Sequence, residues 1–202
     1  MKIIFASHNS GKILELNALL KNVQVDIIPQ ASLHVDEIAE TGLTFVENAL
    51  IKARHACQHT GMPAIADDSG LEVFALHGAP GIYSARYAYD KAPSSENIKK
   101  LLFELRDVPV DKRHARFYCV LVYMEHEHDP TPLICQAEWR GIILNQPSET
   151  PGFGYDPVFY DPIQKCSASE LDLHKKNLVS HRGQALRLLL DKLPVKLTQD
   201  VK

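Results

Sequence analysis

Apolar residues come in short blocks along this chain, and their spacing switches between strand-length runs and the three-and-four spacing of a helix. Lys2 to Ala6 reads as a strand; Ile13, Leu16, Leu19 and Leu20 then share one face of a helix over 11–21, and a second strand covers about 23–28. Thr44-Phe45-Val46-Glu47 has the spacing of a capping box and opens a helix running to about His59, ahead of Gly61 and Pro63. A strand over 63–67 follows, then a short one over 71–74, and a helix capped by Ser94 or Ser95 that runs through Leu105. Ala115 to Met124 and Leu133 to Arg140 are rich in β-formers and flank the charged stretch 125–132, which predicts a hairpin. A closing helix covers about 180–193, with a frayed tail beyond Pro194. Early alternation of strand and helix, then a hairpin and a final helix, predicts a mixed α/β fold.

Composition narrows the class. The chain has 202 residues, 45% of them hydrophobic and 23% charged, enough to bury a core as one domain over 1–194 with two lobes and a tail over 195–202. Its formal net charge of −3 argues against a sequence-independent grip on DNA or RNA, where many cations must neutralise phosphates. A small anionic substrate stays open. The opening strand leaves no room for a signal peptide, and no apolar stretch approaches the ~20 residues of a membrane span, so a cytoplasmic protein without a membrane partner is expected. Cys57, Cys119, Cys135 and Cys166 lack C-x-x-C spacing and read as reduced thiols.

Four segments carry chemistry. Ala64-Ile65-Ala66-Asp67-Asp68-Ser69-Gly70-Leu71 delivers two adjacent carboxylates and then a glycine, which predicts that Asp67 and Asp68 stand at a strand's end. There they are able to meet a hard cation, or simply form a turn. Asp67 should matter less than Asp68 if strand alternation points it away from the cleft. Ser7-His8-Asn9-Ser10-Gly11-Lys12 joins a strand to a helix start, where backbone N–H groups, hydroxyls and one lysine suit a phosphate; it is not a Walker A loop, and an ordinary turn capped by Asn9 or Ser10 is the alternative. Phe153-Gly154-Tyr155-Asp156-Pro157 sets two aromatics about a glycine, able either to stack on a purine or to pack within the loop. Lys175-Lys176-Asn177 and Ser180-His181-Arg182-Gly183 gather cations before or at the start of the last helix, where they oppose its dipole unless an anion is bound. Lys52 follows Asn48 by one turn on an otherwise apolar stripe, either snorkelling or aimed at phosphate. His55 and His59 lack the glutamate of a His-Glu-x-x-His site, so no metal is expected there.

The ordered set of 7–12, Glu-Thr-Gly-Leu-Thr-Phe (40–45), Glu-Asn-Ala (47–49), 66–71, Gly-Ala-Pro-Gly-Ile-Tyr-Ser-Ala-Arg (78–86), 153–157 and 180–182 resembles the inosine triphosphate pyrophosphatase family, bacterial branch, across nearly the whole chain. Members hydrolyse aberrant purine nucleoside triphosphates to the monophosphate and pyrophosphate. The resemblance implies an elongated mixed sheet with flanking helices and two lobes around a central cleft, a homodimer, and a need for Mg²⁺. By similarity Glu40 and Asp68 would hold the metal, with Asp68 also the base for the attacking water. Ser7, His8, Asn9, Ser10, Gly11 and Lys12 would hold phosphate, and Ser69 and Lys176 would add contacts. Phe153, Gly154, Tyr155, Asp156, His181 and Arg182 would surround the base, with Arg182 a candidate donor to the 6-carbonyl that distinguishes hypoxanthine and xanthine from adenine. Two other readings remain at this point: a pyrophosphatase for other modified or standard triphosphates, and a non-catalytic nucleotide sensor.

Overall fold

The computed structural model describes residues 2–9, 11–14, 16 and 25–199. The predicted site residue Ser10, positions 15 and 17–21 of the first predicted helix, the start of the second predicted strand and residues 200–202 lie outside them.

The strands form one seven-stranded mixed sheet in the order β2-β1-β3-β4-β5-β6-β7. β1 (Lys2–Phe5) lies between β2 (Asp26–Pro29) and β3 (Ala64–Val73) and is parallel to both. Its Ile3, Ile4 and Phe5 are buried, because an inner parallel strand is covered on both faces. β4 (His114–Met124) and β5 (Leu133–Ile143) are sheet neighbours, as the hairpin pattern predicts. β6 (Phe159–Asp161) and β7 (Cys166–Ser167) extend the sheet by antiparallel pairing.

Four helices have defined ends among the described residues: α1 (Phe45–Thr60), α2 (Ser94–Glu104), α3 (Leu173–Val179) and α4 (His181–Gln199). In α1, Phe45, Asn48, Ala49, Ala53, Ala56 and Cys57 are buried at helical spacing, so the face that covers the sheet carries one polar residue, Asn48. Thr44 caps it, and the Glu47 carboxylate returns the contact, accepting from the amide of Leu43 and the hydroxyl of Thr44. The helix stops at Gly61, whose left-handed φ of 64° lets its amide bond to the carbonyl of Cys57.

Four expectations are corrected. β3 is a single strand of ten residues that runs through Asp67, Asp68, Ser69 and Gly70, so the carboxylates lie inside it and not at its end. Ion pairs make their burial tolerable. The cap of α2 is Pro93, with Ser94 as the first helical residue, because proline's fixed φ suits entry to a helix. Lys175 and Lys176 lie on α3, a helix that the sequence pattern did not reveal; seven residues are too few to display a period. The last helix begins at His181 and continues past Pro194 to Gln199 instead of ending at Leu193.

The chain divides into two compact units. Unit 1 comprises 1–68, 119–137 and 182–202; its core brings together Ile3, Phe5, Ile65, Leu121, Tyr123, Leu186 and Leu189. Unit 2 comprises 69–118 and 138–181; its core brings together Leu71, Leu101, Phe117, Trp139, Tyr155 and Phe159. All four cysteines are free thiols, and no helix among the described residues is long and apolar enough to cross a membrane.

Candidate active site

In unit 1, strand β3 carries its two carboxylates into the interior: Asp67 is 0% exposed and Asp68 5%. Such burial is tolerated only with partners. Lys12 Nζ lies 2.8 Å from Asp67 Oδ2, and Arg182 Nε lies 3.4 Å from the same oxygen. Burial alone would push the Asp67 carboxyl up, but Lys12, Arg182 and Lys52 together hold it well below the usual carboxylate range.

Asp68 keeps different company. Asn48 Nδ2 donates to its Oδ2 at 3.2 Å, and Lys52 Nζ donates to its Oδ1 at 3.2 Å. The same ammonium reaches Glu40 Oε1 at 2.7 Å. Burial raises the Asp68 carboxyl above its ordinary value; Lys52 opposes the rise and Glu40 reinforces it. For Lys52, burial favours the neutral amine, yet Asp68, Asp67 and Glu40 outweigh it and hold the ammonium above the ordinary lysine value.

Local structure explains these positions. Asn9 Oδ1 accepts from the amide of Lys12 at 3.2 Å, and Ser7 Oγ accepts from the amide of Asn9 at 3.2 Å, so the 7–12 segment opens a helix with Asn9 at its cap. Gly11 and Lys12 therefore form the first helical turn. His8 Nδ1 lies 3.0 Å from Gln30 Nε2 and 3.2 Å from Glu37 Oε1. On α1, Asn48 and Lys52 are one turn apart and reach the same carboxylate. Asn48 was not among the predicted site residues. Its signal was visible: an amide on a buried helical stripe, one turn ahead of a lysine. Asn48 Oδ1 also accepts from the amide of Gly42 at 2.8 Å, and a Cβ on Gly42 would come 2.6 Å from Glu47 Cβ, so only glycine fits the segment leading from Glu40 to α1.

Arg182 stands at the start of α4, where a cation opposes the helix dipole. The anion that offsets this is internal, the carboxylate of Asp67. Lys176, in contrast, lies in the last turn of α3, where a cation is favourable, so the dipole argument made from sequence does not hold for it.

In unit 2, Lys176 Nζ meets Asp156 Oδ2 at 2.6 Å, both side chains being largely buried. The segment 153–156 is a turn in which the amide of Asp156 donates to the carbonyl of Phe153 and Gly154 has a φ of +59°. Its aromatics diverge: Phe153 is 47% exposed, whereas Tyr155 is 5% exposed and donates its hydroxyl to the carbonyl of Ser84 at 2.9 Å. Stacking on a ligand is thus open to Phe153 and closed to Tyr155, which belongs to the core. His181 is buried, its ring stacked on Phe117 at 4.9 Å between centroids and 12° between planes. Ser69, the residue after Asp68, is half-buried.

Among the described residues no group of three or more His, Cys, Asp and Glu side chains converges as a metal cage. Glu40 and Asp68 nonetheless suit a hard cation: all their donors are oxygens, and one cation, the Lys52 ammonium, already touches both. Mg²⁺ characteristically takes one or two carboxylates and completes its shell with waters and substrate phosphates.

Residues 3–192 match the family model of the Ham1 family. The chain is 56% identical to a dITP/XTP pyrophosphatase of Shigella flexneri over 192 residues, 95% of this chain and 98% of that protein. It is 55% identical to the dITP/XTP pyrophosphatase of Escherichia coli (strain K12), with the same coverage. A solved Ham1 protein from Coxiella burnetii matches with a TM-score of 0.90 at 49% identity, covering 96% of this chain and 98% of that one. The Staphylococcus aureus Ham1 protein matches with a TM-score of 0.86 at 37% identity, covering 97% of this chain and all of that one.

Proposed function

The chain belongs to the Ham1 family, and from that premise we propose which of its residues perform each part of the reaction. It is a nucleoside triphosphate pyrophosphatase acting on non-standard purine nucleoside triphosphates. The observation that carries the residue assignment is the array of buried Asp67, Asp68 and Arg182 with half-buried Glu40, Lys12 and Lys52.

A triphosphate brings about four negative charges, which must be offset before water can approach phosphorus. Lys12 and Lys52 are compact cations on flexible stems, suited to phosphate oxygens. Glu40 and Asp68 would hold Mg²⁺, which when bound offsets phosphate charge and polarises the reacting phosphoryl group. Asp68, whose carboxyl burial raises above its ordinary value, accepts the proton of the attacking water. Asn48 fixes the orientation of that carboxylate through its other oxygen. The amide groups of 7–12 and Ser69 add phosphate contacts.

Base choice is assigned to Phe153 as a stacking face, to the Asp156–Lys176 pair and His181, and to Arg182 as donor to the 6-carbonyl. A hydrogen-bonded site rejects adenine because its amino group would leave the donor unpaired. The protein is further proposed to act in the cytoplasm as a homodimer. Pyrophosphate release from inosine, deoxyinosine, xanthosine, guanosine and adenosine triphosphates with Mg²⁺ tests the assignment. Turnover confined to the 6-oxo, non-standard substrates and abolished by EDTA is expected; undiminished turnover without divalent metal would overturn the Mg²⁺ assignment.

A further inference from the structure

We propose that Lys52 is a resident counter-cation of the Glu40–Asp68 pair, exchanged for the divalent metal and thereby released to the phosphate chain of the substrate. The inference rests on the assignment of Glu40 and Asp68 as metal ligands. Lys52 Nζ stands 2.7 Å from Glu40 Oε1 and 3.2 Å from Asp68 Oδ1, contacting both carboxylates that a metal would need. An ammonium and a divalent ion cannot share those oxygens at contact distance without strong mutual repulsion. One must leave.

The framework permits the exchange. Asp68 is held through its other oxygen by Asn48, which is itself fixed by the amide of Gly42, so the carboxylate keeps its orientation when the ammonium departs. The Cα of Lys52 is fixed in α1, but four methylenes carry its charge and let Nζ swing while the helix stays still. A released ammonium needs an anion, and the triphosphate supplies it. Metal alone must therefore break two ion pairs without compensation, whereas metal and triphosphate together satisfy every charge. Each consequently strengthens the binding of the other by the same factor.

The test is titration calorimetry with Mn²⁺ on the full chain, alone and with a non-hydrolysable imidotriphosphate of inosine. Lys52→Met is expected to bind Mn²⁺ about tenfold or more tightly than the wild type without nucleotide, and to lose the nucleotide's enhancement by a similar factor. Lys52→Arg, which retains a cation, should keep the weak metal binding. Lys12→Met removes the same charge from beside Asp67 and should change metal affinity far less; an equal gain would show a general charge effect and overturn the exchange. Equal affinities in wild type and Lys52→Met would also overturn it while leaving the metal site standing. No binding to any of the proteins, with or without nucleotide, would remove the metal assignment and the exchange together. Should Lys52→Met fail to fold, the ¹³Cε resonance of Lys52 in the wild type decides: it should shift when metal binds, and an unmoved resonance at saturating metal overturns the proposal.

Discussion

Asp67 and Asp68 are consecutive in β3, yet Asp67 is gripped by Lys12 and Arg182 while Asp68 is gripped by Lys52 and Asn48. Strand alternation turns neighbouring side chains to opposite faces, and here each face supplies its own partners. The result is a chemical division of labour. The Asp67 carboxyl is held well below its ordinary range and is a permanent anion, whereas the Asp68 carboxyl is raised and able to take up a proton.

Asp68→Asn should leave the fold intact and lower kcat by ~10²–10⁴-fold, as loss of a general base or metal ligand does. Circular dichroism checks the first half and pyrophosphate release the second. In the metal-free wild type burial raises the Asp68 carboxyl, so its carboxyl carbon resonance should titrate at a higher pH than that of an exposed aspartate.

Asp67→Asn should act chiefly on stability. It leaves Lys12 and Arg182 facing a neutral amide in the interior, and breaking a buried pair costs about 3–5 kcal/mol. A group whose folded pKa is depressed contributes stability above its unfolded value and loses it as pH falls toward the folded one. Denaturant midpoints measured downward from the ordinary aspartate value should therefore drop more steeply for the wild type than for Asp67→Asn.

Arg182→Ala should produce two separable effects. Removing one of the cations beside Asp67 should lower the melting temperature, and removing the proposed donor to the 6-carbonyl should lower the preference for inosine over adenosine triphosphate by ~10–100-fold in kcat/KM. A lower melting temperature with unchanged preference would assign Arg182 to the support of Asp67 alone.

The two aromatics of the 153–156 turn should separate cleanly. Phe153→Ala should raise KM by ~5–150-fold, corresponding to ~1–3 kcal/mol for a stacked base, with little change in melting temperature. Tyr155→Phe should do the reverse, losing the bond to Ser84 at a cost of ~0.5–1.5 kcal/mol in stability while KM holds.

What the sequence revealed depended on the range of the interaction. The cap at Thr44, the apolar face of α1 and the β4–β5 hairpin are local and were legible from spacing alone. The continuity of β3 was not, because Asp-Asp-Ser-Gly is a turn by local propensity and becomes strand only when Lys12, Lys52 and Arg182, remote in sequence, neutralise it. Tyr155 and Phe153 are indistinguishable as turn aromatics until tertiary packing buries one of them. The pairing of Lys176 with Asp156 spans 20 positions and left no local trace.

The path of the chain through its two units bears on how this protein can be altered. The backbone passes from one unit to the other after residues 68, 118, 137 and 181, so Asp68-Ser69 and His181-Arg182 each straddle a crossing. Neither unit is a single continuous stretch of the chain. Unit 2 cannot be exchanged for another by a single recombination, since a graft would need four junctions, two of them at Asp68-Ser69 and His181-Arg182. Changes of nucleotide preference in this architecture must then accumulate as substitutions in place, each tested against two cores at once.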